Sequence, residues 1–342
     1  MERTNNHRLH PPGFWESLKE LLPGHRRMLD CVQVEVTTRC PGRCNYCPHT
    51  LFAAGWRNRD ISMESFERLW PLMRRSARVH LQGWGEPLLH PQFFDMAALA
   101  RRAGCAVSTT TSGLTLDEVQ SEALVDSGLD IVAFSLTGTD AESNAARLGI
   151  PFERVCAAIE RLQSVRRAKG GVHLEIHIAY LLLASNMAAV RGLPELMQRL
   201  GVHAAVVSTL DYLPDPDLAG EAFLPEDIKK LSQAEAVLTE TAARARHMGL
   251  AFDFHLPGAP SLRPTCRENI GRSLAVSADG AVSPCVYRNI PAADADPRRL
   301  TFGNVSAVDP LSIWESDVYR AFRTETVISH PDSVCVCCPK LR

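Results

Sequence analysis

The chain has 342 residues, 45% of them hydrophobic, and a formal net charge of -2 from 37 lysines and arginines against 39 aspartates and glutamates. That length suits a large α/β domain with an appendage. Acidic and basic residues interleave, so the chain lacks the long-range field that gathers nucleic acid or an anionic membrane, and neither is expected as a partner.

Residues 1–30 form an N-terminal extension without an apolar signal segment, and no later run reaches membrane-spanning length, so a cytoplasmic location is expected. Eleven cysteines are many for a compartment that keeps thiols reduced, and an odd count fits a disulfide framework poorly. Metal or cluster binding is the better expectation. Cys40, Cys44 and Cys47 crowd together near the N terminus and five more follow residue 260, while Cys31, Cys105 and Cys156 read as ordinary buried thiols.

From residue 31 to 255 strand-like runs alternate with helical stretches. The runs are CVQVEVT from Cys31, ARVHLQ, CAVSTTT, DIVAFSL, VHLEIHIAYLLL and HAAVVSTL. Helices are predicted over 62–75, starting at Ser62, and over 91–103, 116–127, 151–169, 187–200 and 225–248. This alternation predicts a parallel sheet, open or rolled into a barrel.

The strands themselves alternate apolar with polar residues. Val32, Val34 and Val36 oppose Gln33, Glu35 and Thr37, and Leu174, Ile176, Ile178 and Tyr180 oppose His173, Glu175 and His177. His80 with Gln82, and Ser108 with Thr110 and Ser112, repeat the pattern. An antiparallel sheet with one wet face would alternate in this way too, but the intervening helices favour a barrel whose polar lumen holds a ligand. Glu35, His80, Glu175, His177 and Asp211 are the candidates for catalytic proton transfer there, although a single histidine is more often structural. The stretch DYLPDPD after the sixth strand falls where a substrate-contacting loop belongs, and its composition is equally that of a turn.

Residues 256–342 change texture. A Pro/Gly linker leads to a hairpin turning at Asp279-Gly280, then to a helix over DPLSIWESDVYRAFR and the closing SVCVCCPKLR. A segment this small gains from a metal centre.

Cys40, Cys44 and Cys47 follow the first strand at C-x3-C-x2-C spacing. Zinc would need a fourth ligand, which His49 offers. A four-iron cluster would keep one iron free of protein ligands, able to chelate a cosubstrate.

The stretch CPGRCNYC resembles the signature of radical S-adenosylmethionine enzymes, with Tyr46 at its aromatic position. GWGEPLLHP resembles the family's GGEP-type motif. Gly85 and Glu86 match, while Trp84 separates them from Gly83. Ser135 in FSLTG and Arg147 in ARLG match further cosubstrate contacts. The resemblance implies a partial (β/α)6 TIM-like barrel holding a [4Fe-4S] cluster on Cys40, Cys44 and Cys47. Tyr46, Gly83, Gly85, Glu86, Ser135 and Arg147 would line the site for S-adenosylmethionine. It also implies reductive cleavage of that cosubstrate to a 5'-deoxyadenosyl radical, fed by a donor such as flavodoxin or ferredoxin.

The C-x13-G spacing from Cys266 to Gly280, followed by Cys285 and by Cys335-x2-Cys338, resembles SPASM/twitch extensions, twitch being the better fit. One auxiliary [4Fe-4S] cluster on Cys266, Cys285, Cys335 and Cys338 is implied, with Cys337 as an alternate ligand. The spacing alone serves structural zinc equally well. Oxidation is the leading reaction class, on a small molecule or cofactor precursor, because the 30 residues before the first strand are short for a leader-peptide module. A peptide- or protein-modifying maturase and a non-catalytic iron-sulfur partner of a metalloenzyme are the alternatives.

Overall fold

The computed structural model describes residues 27–171, 173–213, 215–257, 266–293, 298–328, 335, 338, 340 and 341. Cys337, most of the N-terminal extension and most of the Pro/Gly linker lie outside them.

The six expected strands form, as β1 (Leu29–Val34), β2 (Ser76–Leu81), β3 (Ala106–Thr111), β4 (Ile131–Leu136), β5 (Glu175–Leu182) and β6 (Ala204–Thr209). A short seventh, β7 (Ala251–Phe254), follows and pairs parallel with β6. Neighbours from β1 to β7 are sequential and parallel, giving the partial TIM-like barrel.

The expected hairpin forms as β8 (Ser273–Val276) and β9 (Ala281–Ser283), with β10 (Gly303–Asn304) beside β9. Gly280 takes a φ of 80° at the turn, a conformation that suits glycine. The hairpin continues the barrel sheet. β8 lies parallel to β1, and the full order is β10-β9-β8-β1-β2-β3-β4-β5-β6-β7. With β7 and β10 at its two ends, the sheet stays open along one side.

Three predicted helices break in two at identifiable residues. The first divides into Met63–Glu67 and Trp70–Met73, because Pro71 cannot donate within a helix and starts a new one. Pro194 acts alike, so the helix expected over 187–200 is a 3-10 stretch, Ala184–Gly192, followed by Leu193–Leu200. Ser316 turns extended between Pro310–Glu315 and Asp317–Ile328. Ser62 caps as expected, accepting a hydrogen bond from the Ser65 N–H.

The period-two pattern is realised directly. Val32, Val34, Ile176, Ile178 and Tyr180 are buried on the side facing the helices, packed with Leu162, Leu196 and Leu238. The other face of each strand lines the lumen. There Ala133, His177, Ala204 and Ala251 share one row across β4 to β7, and Ser135, Ala179, Val206 and Asp253 the next. The first row is alanine apart from His177, while the second mixes Ser135 and Ala179 with Val206 and Asp253.

Candidate functional site

Beyond β1 the chain runs through Thr37 and Thr38 into the three-cysteine loop, and each step is pinned. Thr38 donates its hydroxyl to Arg57 O at 2.7 Å, Trp56 donates its indole N–H to Thr38 O at 2.9 Å, and Arg39 pairs with Asp60 at 2.6 Å. On its far side the loop bonds to the segment bearing Arg147. Arg43 N–H donates to Leu148 O at 2.7 Å and Asn45 N–H to Ala146 O at 3.1 Å.

Arg147 is thereby delivered to the cysteine loop although 100 residues separate them. It is buried, close enough to influence Cys40 and Tyr46, and its Nε has no partner among the described residues. A buried guanidinium with an orphaned donor is a ready receptor for a carboxylate.

The GWGEP motif lies against the same loop. Glu86 N–H donates to Arg39 O at 2.8 Å, and a Cβ on Gly85 would come within 2.2 Å of Thr37 O. The buried Glu86 carboxylate accepts from the Thr111 hydroxyl at 2.6 Å and the Ser112 N–H at 2.7 Å. It ties β3's end to the loop. Gly83 is required by Glu35, whose Cγ a Cβ would meet at 2.3 Å.

Of the five proton-transfer candidates, each has a definite partner. Glu35 is buried and accepts from Trp84 N–H at 2.9 Å and Ala278 N–H at 3.3 Å, joining the GWGEP motif to the β8–β9 turn. Burial pushes its carboxyl up from 4.5 to about 7 against those two hydrogen bonds. His80 Nε2 lies 2.6 Å from Gln82 Oε1, which only accepts, so its Nδ1 takes the Ser108 hydroxyl at 2.9 Å. Burial lowers its pKa, so it stays neutral. Glu175 and His177 pair on β5 at 2.8 Å, partly open to the lumen. Asp211 accepts from Thr209 and pairs with Lys340 Nζ at 3.1 Å. Ser135 lies on β4 in register with Ala179 of β5. The structure thus joins Glu175 to His177 and separates the other three.

Three residues without a sequence signal complete the picture. Lys340 also pairs with Glu268 at 2.7 Å, and burial of the ammonium is outweighed by Tyr287 and these carboxylates, which hold its pKa above the ordinary value. Tyr287 packs with Trp84 and Tyr212 at centroid distances of 5.8 and 6.1 Å. Trp84, inserted between the glycines, donates its indole N–H to Val286 O at 3.3 Å, next to Cys285. The departure in the motif is what touches the C-terminal region.

The cysteines fall into two kinds by their hydrogen bonds. The sulfur of Cys40 receives the N–H of Gly42, Cys47 that of His49, Cys266 that of Glu268, Cys285 that of Tyr287 and Cys338 that of Lys340. In all five one donor is two residues on, and Cys47 and Cys266 each receive a second, from Thr50 and Ile270. Cys31 is approached instead from β2 by His80, Cys105 donates its thiol to Met73 O, and Cys156 faces the Arg199 side chain.

Burial pushes the Cys40 thiol up to about 11 and Cys47 to about 12, so both stay protonated unless a metal takes the thiolate. Backbone N–H groups aimed at the sulfurs suit thiolates ligating iron. His49, the alternative zinc ligand, stacks edge-on against Trp56 at 5.0 Å. Among the described residues no three His, Cys, Asp or Glu side chains converge on a single-ion site, so the fit rests on donor chemistry and the shared N–H pattern.

Residues 34–178 match the radical SAM superfamily and residues 266–339 the SPASM iron-sulfur cluster-binding domain. The chain is 25% identical over 307 residues to the tungsten-containing aldehyde ferredoxin oxidoreductase cofactor-modifying protein of Pyrococcus furiosus, covering 85% of this chain and 82% of that one. It is 28% identical over 316 residues to the PqqA peptide cyclase of Gluconobacter oxydans, covering 88% and 81%. The fold is similar to that of Streptococcus suis SuiB bound to S-adenosylmethionine, with a TM-score of 0.66 at 14% identity over 90% of this chain and 70% of that one. These matches imply a [4Fe-4S] cluster, S-adenosylmethionine and auxiliary iron-sulfur binding. No helix among the described residues is long and apolar enough to cross a membrane.

Proposed function

Because the chain belongs to the radical S-adenosylmethionine superfamily and carries a SPASM iron-sulfur domain, we propose that it modifies a peptide or protein substrate by hydrogen abstraction. The observation that carries this reading is the likeness to a peptide cyclase along 88% of the chain, which reaches into both matched regions. It favours the peptide-modifying alternative over the small molecule or cofactor precursor that the sequence alone put first.

When bound, a four-iron cluster with one iron free of protein ligands supplies the electron that cleaves S-adenosylmethionine to methionine and a 5'-deoxyadenosyl radical. Cys40, Cys44 and Cys47 would hold the first cluster, and Cys266, Cys285, Cys335 and Cys338 the auxiliary one. Arg147 would bind the cosubstrate carboxylate, while Glu86 holds the loop edge beside it. Asp211 and the Glu175–His177 pair are the groups in place to take a proton from a substrate radical, and oxidation or cross-linking is the reaction class this serves. Flavodoxin or ferredoxin would supply the electrons.

The likeness to a cofactor-modifying protein supports a second reading, action on a metalloenzyme's cofactor or its precursor. The reduced, reconstituted protein is to be incubated with S-adenosylmethionine and candidate peptides. Peptide-stimulated 5'-deoxyadenosine formation, with deuterium moved from peptide to the nucleoside, is the expected result. Stimulation by cofactor precursors alone would establish the second reading. Cys44→Ala abolishes cleavage in either case, whereas Cys338→Ala spares it in part.

A further inference from the structure

The donors two residues beyond Cys266, Cys285 and Cys338 have a second task. Glu268, which gives its N–H to Cys266, offers its carboxylate to Lys340 at 2.7 Å. Tyr287, which gives its N–H to Cys285, lies with its ring 5.5 Å from Lys340 Nζ. Lys340 itself gives its N–H to Cys338. One ammonium group therefore meets side chains belonging to the hydrogen-bond donors of two further cysteines. Asp211, at the end of β6, anchors it to the barrel at 3.1 Å.

The backbone follows the same geometry. Arg267 N–H donates to Lys340 O at 2.9 Å, and Cys266 bridges antiparallel to Leu341. Cys338 N–H donates to Cys335 O and Leu341 N–H to Cys338 O, each at 3.0 Å, so the pair is wound into one turn just before the lysine. The three charged side chains are 12–23% exposed, a setting where an ion pair is little screened and a missing partner is costly.

We propose that Lys340 is a positioning residue that seats the turn bearing Cys335 and Cys338 against Cys266 and Cys285, so that the auxiliary cluster assembles only on the docked segment. This rests on the reading that those cysteines hold an iron-sulfur cluster. Lys340 also puts a fixed positive charge beside the cluster, which favours its reduced form.

The test uses the full chain carrying Cys40→Ala, Cys44→Ala and Cys47→Ala, reconstituted anaerobically with ferrous iron and sulfide, so that only the auxiliary site can load. Adding Lys340→Met is expected to weaken iron retention by about tenfold or more, the range for residues that orient metal ligands. The potential of the cluster that remains should fall. Lys340→Arg, which keeps charge and donors, restores loading. Asp211→Asn gives a smaller loss of iron and, because it removes a negative charge, no fall in potential; it leaves the ammonium partnered by Glu268, which covers the case in which Lys340→Met fails to fold. Loading that matches the parent in both Lys340→Met and Asp211→Asn, with an unchanged potential in Lys340→Met, overturns the proposal. A parent that binds no iron and sulfide at all overturns the cluster assignment, and the proposal with it.

Discussion

Gly85→Ala tests whether the GWGEP edge is held against the cysteine loop by backbone contact. The new Cβ would stand 2.2 Å from Thr37 O and 2.8 Å from Arg39 O, both main-chain atoms that cannot rotate away. Relief requires the edge to withdraw, which stretches the 2.8 Å bond from Glu86 N–H to Arg39 O at a buried position. Overpacking costs about 1–3 kcal/mol and an orphaned buried hydrogen-bonding group about as much again, so a loss of roughly 3–5 kcal/mol is expected. For a chain of 342 residues that is a fall of about 4–7 °C in the unfolding midpoint. Gly42→Ala is the control. Its Cβ meets Ile150 Cδ1 at 2.6 Å, the far end of a side chain that can turn, and about 1 kcal/mol is expected. Thermal unfolding of the two iron-free variants by circular dichroism, with iron content after reconstitution, makes the comparison. The reasoning fails if the two midpoints agree within about 1 °C.

Three further outcomes are expected. Glu35, raised from 4.5 to about 7, binds more protons in the folded than in the unfolded chain between those values. Its contribution is therefore present below pH 4.5 and lost as pH rises through 7, by up to about 3 kcal/mol. Glu35→Gln removes that part of the pH slope in denaturant titrations, and a wild-type slope in the variant would refute the assignment. Arg147→Met loses about tenfold or more in S-adenosylmethionine affinity by calorimetry while retaining iron, because a charge-assisted bond to a carboxylate is worth about 1.5–3 kcal/mol. Removing iron from the auxiliary site speeds amide exchange at Cys338 and Leu341 but not along β8, whose bonds to β1 do not involve the cysteines. Equal loss of protection at both would show the whole C-terminal segment to depend on metal.

The period-two alternation, the cysteine spacings and the Asp279-Gly280 turn were legible because each is a local pattern whose physical reason acts within a few residues. They fixed the parallel strands, the polar lumen and the two cysteine sets. The breaks at Pro71 and Pro194 had the same kind of local cause and could have been read. What sequence could not supply was company across the fold. Nothing in the chain order brings Arg147 to Cys40, sets Glu35 beneath Trp84 and Ala278, or places Lys340 between Asp211 and Glu268. Those pairings come from strand order and loop-to-loop hydrogen bonds, so residues that looked alike as polar lumen candidates acquired different partners. Sequence determined which chemistry the chain carries, since ligand type and spacing are local. Tertiary structure decided which carboxylates, imidazoles and cations are committed to holding the site together and which stay open to a substrate.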